Sequence, residues 1–258
     1  MQRVLFHSTI FGPIHSRRLG TSLGINLMPN DGKVCTFDCL YCEAGFNAQG
    51  PGTTGLPTRA QVATDLEAKL AEMHAAGQQL DVITFSGNGE PTLHPDFNGI
   101  IDDTIALRDR YYPEARVSVL SNATRLDRPD VVSALGRVDN NILKLDSAIA
   151  DTVALIDRPT SPAYDVNRVI AQLSEFGANC IVQTMLLRGT YDGHTIDNTT
   201  TAEIDALIDA YRTIRPAEVM LYSIDRQTPA RQLVKVPSEE LEAIADRIRQ
   251  AGIKVVTA

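Results

Sequence analysis

Three of the chain's four cysteines fall within eight positions, in the stretch KVCTFDCLYCEAGF at 33–46. Cys35, Cys39 and Cys42 have the spacing C-x3-C-x2-C, so one loop can bring three thiolates round a single centre. Structural zinc usually takes four protein ligands, commonly as two separated pairs, and no second CxxC or paired histidine follows here. An iron–sulfur cluster held by three cysteines keeps one iron free of protein, and that position can take a substrate or cofactor. On spacing alone, a purely structural metal site and a redox disulfide stay open beside it.

Other polar groups stand where packing does not call for them. In NILKLDS (141–147) strand alternation puts Lys144 and Asp146 on one face and Leu143 and Leu145 on the other. Buried charges need partners, so this pair is a candidate for holding a ligand, or else a salt bridge within itself or with Glu90. Gln183 with Thr184 beside it, and Asp225 with Arg226, are further polar groups in apolar surroundings. SGNGEPTLHP (86–95) read alone is a tight turn, because Gly and Asn tolerate positive φ and Pro ends a strand; His94 belongs to that turn. RGTYDGHTIDNTTT (188–201) has the composition of an active-site loop or lid, in which His194 and Asp197 are placed for acid–base work. Cys180 stands alone on an apolar run and reads as a small buried hydrophobe.

These residues are positioned by alternating β-type and helical patterns, the signature of parallel βαβ units. Strands are expected at 23–28, 81–85, 116–121, 142–146, 179–187 and 218–223, with a short closing run at 253–257. Val62, Leu66, Leu70 and Met73 form one helical stripe that Thr58 and Gln61 cap and Gly77 ends. A second helix starts at an expected N-cap, Ser238, turns Leu241, Ile244 and Ile248 inward and stops at Gly252. Periodicity does not decide between an open doubly wound sheet and a barrel, but in both the chemistry belongs at the carboxyl ends of the strands. The cysteine loop, SGNGEPTLHP and SNAT (121–124) follow the first three expected strands.

At 258 residues one domain is expected, and 43% hydrophobic with 22% charged residues is ordinary for a globular chain. There is neither an 18-residue apolar run nor a charged-then-apolar leader, so the expectation is a cytoplasmic protein with no membrane partner. Clustered cysteines in a chain of this size fit a reducing compartment better than a disulfide framework. A formal charge of −8 offers no general attraction to nucleic acid.

The cysteine loop, with Tyr41 directly before its last cysteine, resembles the signature of the radical S-adenosylmethionine (SAM) superfamily. The resemblance implies that Cys35, Cys39 and Cys42 bind a 4Fe–4S cluster, that the amino and carboxylate groups of SAM chelate the fourth iron, and that Tyr41 lies against the adenine. GNGEP resembles the family's GGEP element, which gives Gly87, Asn88, Gly89 and Glu90 the SAM amino group; Asn88 stands where the commonest form has glycine. Asn122, with Ser121 beside it, resembles the position that touches the SAM ribose or carboxylate. FGPIHSRRLGTSLGINLMP (11–29) and LYSIDRQTPA (221–230) resemble the wyosine-synthetase-like group, whose archaeal members build a tricyclic guanine in tRNA.

That resemblance implies an α/β fold, a partial TIM-type (β/α)6 barrel, forming a single radical SAM domain over 1–258. Residues 1–57 would be an N-terminal extension and cluster loop, and 58–258 the barrel body. The implied activity is reductive cleavage of SAM to methionine and a 5′-deoxyadenosyl radical that takes a hydrogen atom from a substrate. Lys144, Asp146, Gln183 and Arg226 are then the catalytic candidates. Arg17 and Arg18 suit bidentate recognition of an anionic group, or else cover the barrel's open edge. An electron donor such as flavodoxin or ferredoxin is implied, and the substrate classes are a tRNA base, a protein glycine as in glycyl-radical activating enzymes, or a small molecule. The non-enzyme alternative is a metal-binding interaction domain.

Overall fold

The computed structural model describes residues 3–16 and 20–257; Arg17 and Arg18 lie outside the described residues. In chain order the elements are β1 (Ile10–Ser16), β2 (Gly20–Ile25), α1 (Arg59–Ala75), β3 (Val82–Phe85), α2 (Phe97–Tyr111), β4 (Arg116–Ser121), α3 (Pro129–Leu135), β5 (Asn140–Lys144) and α4 (Ala150–Ile156). They continue with α5 (Val166–Phe176), β6 (Ile181–Tyr191), β7 (His194–Asp197), α6 (Thr201–Ile214), β8 (Glu218–Ser223), β9 (Leu233–Lys235), α7 (Ser238–Gln250) and β10 (Val255–Thr257).

Local chemistry explains the long elements. Thr58 caps α1 by accepting the Gln61 N–H at 3.2 Å, and Val62, Leu66, Leu70 and Met73 are all buried. α7 is the exception to the expected capping, since its N-cap is Pro237 and Ser238 is already its first helical residue. All four residues of β3 are buried, as a parallel strand covered on both faces requires.

The sheet runs β1-β2-β3-β4-β5-β6-β8-β10, parallel from β2 to β10, with β1 antiparallel at its edge. The barrel strands therefore begin ahead of residue 58, with β2. Inner-face residues of strands across the sheet, from Phe11 of β1 and Ser22 of β2 to Gln183 of β6 and Met220 of β8, line one cavity of ≈150 Å³. A flat sheet cannot place those residues round one space, so the sheet curls into a partial TIM-type barrel. The outer face packs Ile83, Val117, Val119, Leu143, Val182 and Val219 against the helices.

The 188–201 segment, expected as a loop, is mostly a hairpin. β6 runs on to Tyr191, turns, and pairs antiparallel with β7 and with β9. Its Gly, Asp and Thr residues reflect a solvated edge ribbon, and His194 is exposed at its turn. No helix among the described residues is long and apolar enough to cross a membrane.

Candidate active site

The cysteine loop leaves β2 and is pinned on two sides. Val34 forms a parallel bridge with Gly89: its N–H donates to Asn88 O at 3.1 Å, and Glu90 N–H returns to Val34 O at 3.0 Å. On the far side Asp38 N–H donates to Asp157 O and Leu40 N–H to Ile156 O, both at 2.9 Å, tying the loop to the end of α4. Lys33 is buried and spent inside the loop, donating to Gly45 O at 2.8 Å with Asp38 3.7 Å away.

The result is one cavity of ≈260 Å³ that Cys35, Cys39, Tyr41 and Cys42 line from one side. Gly87, Gly89 and Glu90 after β3, Ser121 and Asn122 after β4, Lys144, Gln183 and Tyr222 line it from the other. All three thiols are free. Three cysteine thiols on one cavity, without a fourth cysteine or a histidine in its lining, are a donor set that fits an iron–sulfur cluster with one open iron better than a four-ligand structural zinc. Burial pushes Cys35 up to about 12, with the neighbouring Glu90 adding to it; burial and then Asp157 push Cys39 well above the usual thiol range. Such thiols stay neutral until a metal takes the place of their protons.

Glu90 is buried in the cavity wall. Its Oε1 accepts from Thr92 N–H at 3.1 Å, from the Thr92 hydroxyl at 2.5 Å and from the Ser121 hydroxyl at 2.8 Å; Oε2 accepts from Asn122 N–H at 2.7 Å. Burial raises its carboxyl above the ordinary range despite these bonds. The carboxylate thus clamps the end of β4 to the end of β3. Asn122 Nδ2 donates to Thr36 Oγ1 at 2.9 Å and lies 3.6 Å from Cys35 Sγ.

The Asn88 side chain does not line the cavity. It is wholly buried, with Nδ2 donating to Phe6 O and Pro29 O and Oδ1 accepting from Phe6 N–H. It ties down the N-terminal segment, while the glycines beside it expose backbone to the cavity. His94 is likewise structural, its ring bonded to Pro57 O and Asp96 N–H.

Lys144 and Asp146 pair, as alternation allowed. Lys144 Nζ is 3.2 Å from Asp146 Oδ2 and donates to the Tyr41 hydroxyl, which donates in turn to Asp146. Asp146 Oδ1 also accepts Met185 N–H at 2.8 Å, so this acid is fully enclosed, while Lys144 reaches the cavity. Burial is the largest single influence and opposes the ammonium charge, but Asp146, Tyr222, Cys39 and Asp157 together outweigh it and hold Lys144 well above its usual range. The ammonium lies 4.8 Å from the Tyr41 ring centroid, at the hydroxyl end of the ring. Gln183 is 8% exposed, and its amide has no hydrogen-bond partner among the described residues. Together with Ser86 and Leu120 it lines both this cavity and the barrel interior beneath.

Arg226 is a correction. It is 64% exposed, forms an ion pair with Glu43 at 2.6 Å and does not line the cavity, because the loop after β8 carries it outward. Cys180 is buried just ahead of β6, with burial pushing its thiol to about 12. Three site residues were not singled out by the sequence. Asp157, at the end of α4, stands 3.4 Å from Cys39 Sγ and has its carboxyl pushed well up by burial and then Asp146. Phe37 and Tyr222 complete the walls; alternation along β8 placed Tyr222 on the face of Met220.

The family model described as the Radical SAM superfamily matches residues 30–202. The chain is 30% identical over 237 residues to a protein named GTPase Obg of Brachyspira hyodysenteriae, covering 90% of this chain and 32% of that one. It is 30% identical over 226 residues to a UPF0026 protein of Synechocystis, covering 85% of this chain and 77% of the relative. The chain thus spans about a third of the first relative's length. Among solved structures, a radical SAM methyltransferase from Sphaerobacter thermophilus shares the fold with a TM-score of 0.67 at 15% identity, covering 92% of this chain and 65% of that one. TYW1 with a lysine-pyruvate adduct bound gives a TM-score of 0.61 at 17% identity, covering 90% and 74%.

Proposed function

Because this chain belongs to the radical SAM superfamily, we propose that it is an enzyme in which Cys35, Cys39 and Cys42 hold a 4Fe–4S cluster. In this reading residues 1–258 form one radical SAM domain, and the backbone of turn 87–90 holds SAM with Ser121 and Asn122. When bound, these groups supply reductive cleavage of SAM to methionine and a 5′-deoxyadenosyl radical that abstracts a hydrogen atom from the substrate. The observation that carries the reading is that three free thiols, the glycine turn and the ends of β4, β5, β6 and β8 open on one cavity.

The chain's own residues divide the work. Glu90 positions Asn122 and Ser121 through its carboxyl group while itself lining the cavity. Phe37, Leu120 and Tyr222 give apolar walls that keep water from a reactive intermediate. Tyr41, held at its hydroxyl by Asp146 and Lys144, keeps its free ring face for an adenine. Gln183 presents an unpaired amide, and Lys144 an ammonium edge, to the polar part of a substrate. A low-potential donor of the flavodoxin or ferredoxin type supplies the electron.

The substrate class within this reading is a nucleic-acid base, favoured by the likeness of 11–29 and 221–230 to the wyosine-synthetase-like group. The test is anaerobic reconstitution with iron and sulfide, addition of dithionite and SAM, and assay of 5′-deoxyadenosine. Its formation by the native chain and its loss in Cys39→Ala are expected. A colourless protein that never cleaves SAM would return the chain to the reading of a metal-binding interaction domain.

A further inference from the structure

On the other side of the cysteine loop's wall lies a second recess of ≈280 Å³, separate in its lining from the cysteine cavity. Arg125, from the segment after β4, and Arg168, from the first turn of α5, both line it, with Ser161 supplying a hydroxyl, while the Thr36 and Thr124 hydroxyls in its wall are committed to each other and to Asn122. The chain is acidic, and its other arginines commonly find a carboxylate, as Arg59, Arg108, Arg188 and Arg249 do. Arg125 and Arg168 make no hydrogen bond or ion pair from their side chains among the described residues. The Arg125 Nε atom is buried and without a partner.

A buried guanidinium N–H without an acceptor is unusual enough in folded proteins to require an explanation. Here a second unpaired guanidinium faces the same recess. Two carboxylates, Asp127 and Asp165, also line it, yet neither comes within ion-pair distance of either arginine. Asp165 is committed to the start of α5, where its Oδ1 accepts Asn167 N–H at 2.9 Å. What the recess lacks is an acceptor with several oxygens that two N–H forks and the Ser161 hydroxyl can surround. Arginine forks match phosphate in this way.

We propose that this recess is a binding site for a terminal phosphate, free or carried on a small ester, with Arg125 and Arg168 as its charged donors. The recess shares a wall with the cysteine cavity: Thr36 Oγ1 is hydrogen-bonded to Thr124 Oγ1 at 2.6 Å and accepts from Asn122 Nδ2, and the Tyr164 ring packs edge-on against Phe37. A phosphate held here sits directly behind the loop that carries Cys35. The assignment does not depend on the cluster, and its test has a readout apart from turnover.

The full chain is titrated with inorganic phosphate, with glycerol 3-phosphate, and with an RNA oligonucleotide lacking terminal phosphates, at an ionic strength kept constant with chloride. Binding is followed by calorimetry and by the thermal midpoint. Phosphate is expected to stabilise the protein beyond chloride, and Arg125→Gln and Arg168→Gln each to weaken its binding about tenfold. Arg168 is exposed on α5, so its variant keeps the fold and reports even where Arg125→Gln does not. Binding of glycerol 3-phosphate as well as phosphate supports an ester ligand, and binding of phosphate alone supports the free ion. No stabilisation beyond chloride, or undiminished affinity in Arg168→Gln, overturns the proposal. So does tighter, arginine-dependent binding of the oligonucleotide, which would give the two arginines to a phosphodiester backbone.

Discussion

Gly89 lies so close to Val34 that a Cβ on the glycine would stand 1.8 Å from the valine carbonyl oxygen. The obstructing atom is backbone, and Gly89 has a φ of +148°, so neither side can yield to a side chain. This contact fastens the residue before Cys35 to the end of β3. Gly89→Ala should therefore leave the helices folded, as read by circular dichroism, yet sharply reduce iron uptake on reconstitution. Native iron content in that variant would show that the bridge does not position the cysteine loop.

Lys144 and Asp146 form a buried pair, and removing one partner strands the other. Lys144→Met should cost about 3 kcal/mol in denaturant unfolding, since an uncompensated carboxylate then remains beside Tyr41. The double variant Lys144→Met/Asp146→Asn should recover part of that loss. Strictly additive costs would mean that the two charges do not interact.

Asp31 accepts both the N–H and the hydroxyl of Thr53 and of Thr54, at 2.7 to 3.2 Å. These bonds, led by the Thr53 hydroxyl, hold its carboxyl well below the usual aspartate range. A lowered folded value means that the unfolded chain binds more protons, so this contribution is full above the ordinary aspartate range and is lost as pH falls below it. Amide protection factors at Thr53 and Thr54, which correct for the intrinsic pH dependence of exchange, should fall below about pH 4 in the native chain, and Asp31→Asn should show low protection throughout. Protection factors that do not change with pH in the native chain would contradict the clamp.

Cys180 packs among apolar residues with its thiol near the Gly177 carbonyl, 3.3 Å away. Cys180→Ala should cost about 1 kcal/mol and leave iron content unchanged, whereas Cys39→Ala should remove the cluster. Loss of iron in Cys180→Ala would assign it a role that its position does not.

The parallel strands and the cysteine cluster were legible because their signals are local: apolar runs, alternation and fixed spacing. Alternation also put Lys144 and Asp146 on one face, where they pair. The edge strands were not legible. β1 contains Gly12 and Pro13, and β7 and β9 gain their strand form only by pairing with the extension of β6. Asp157 was hidden for another reason, since it reaches Cys39 only through docking of the cysteine loop on the end of α4. Arg226 misled because no period constrains a loop residue, and its salt bridge with Glu43 joins distant parts of the chain. Asn88 occupies a turn whose backbone faces the cavity while its side chain faces the protein.

The central claim is that three cysteines leave one iron of a cluster open for SAM. Its most direct test is the electron paramagnetic resonance spectrum of the reconstituted, dithionite-reduced protein, recorded with and without SAM, on a sample containing about four irons and four sulfides per chain. A reduced-cluster signal whose g values shift when SAM is added is expected, with no such signal in Cys35→Ala. A spectrum indifferent to SAM, or a cluster retained without Cys35, would contradict it.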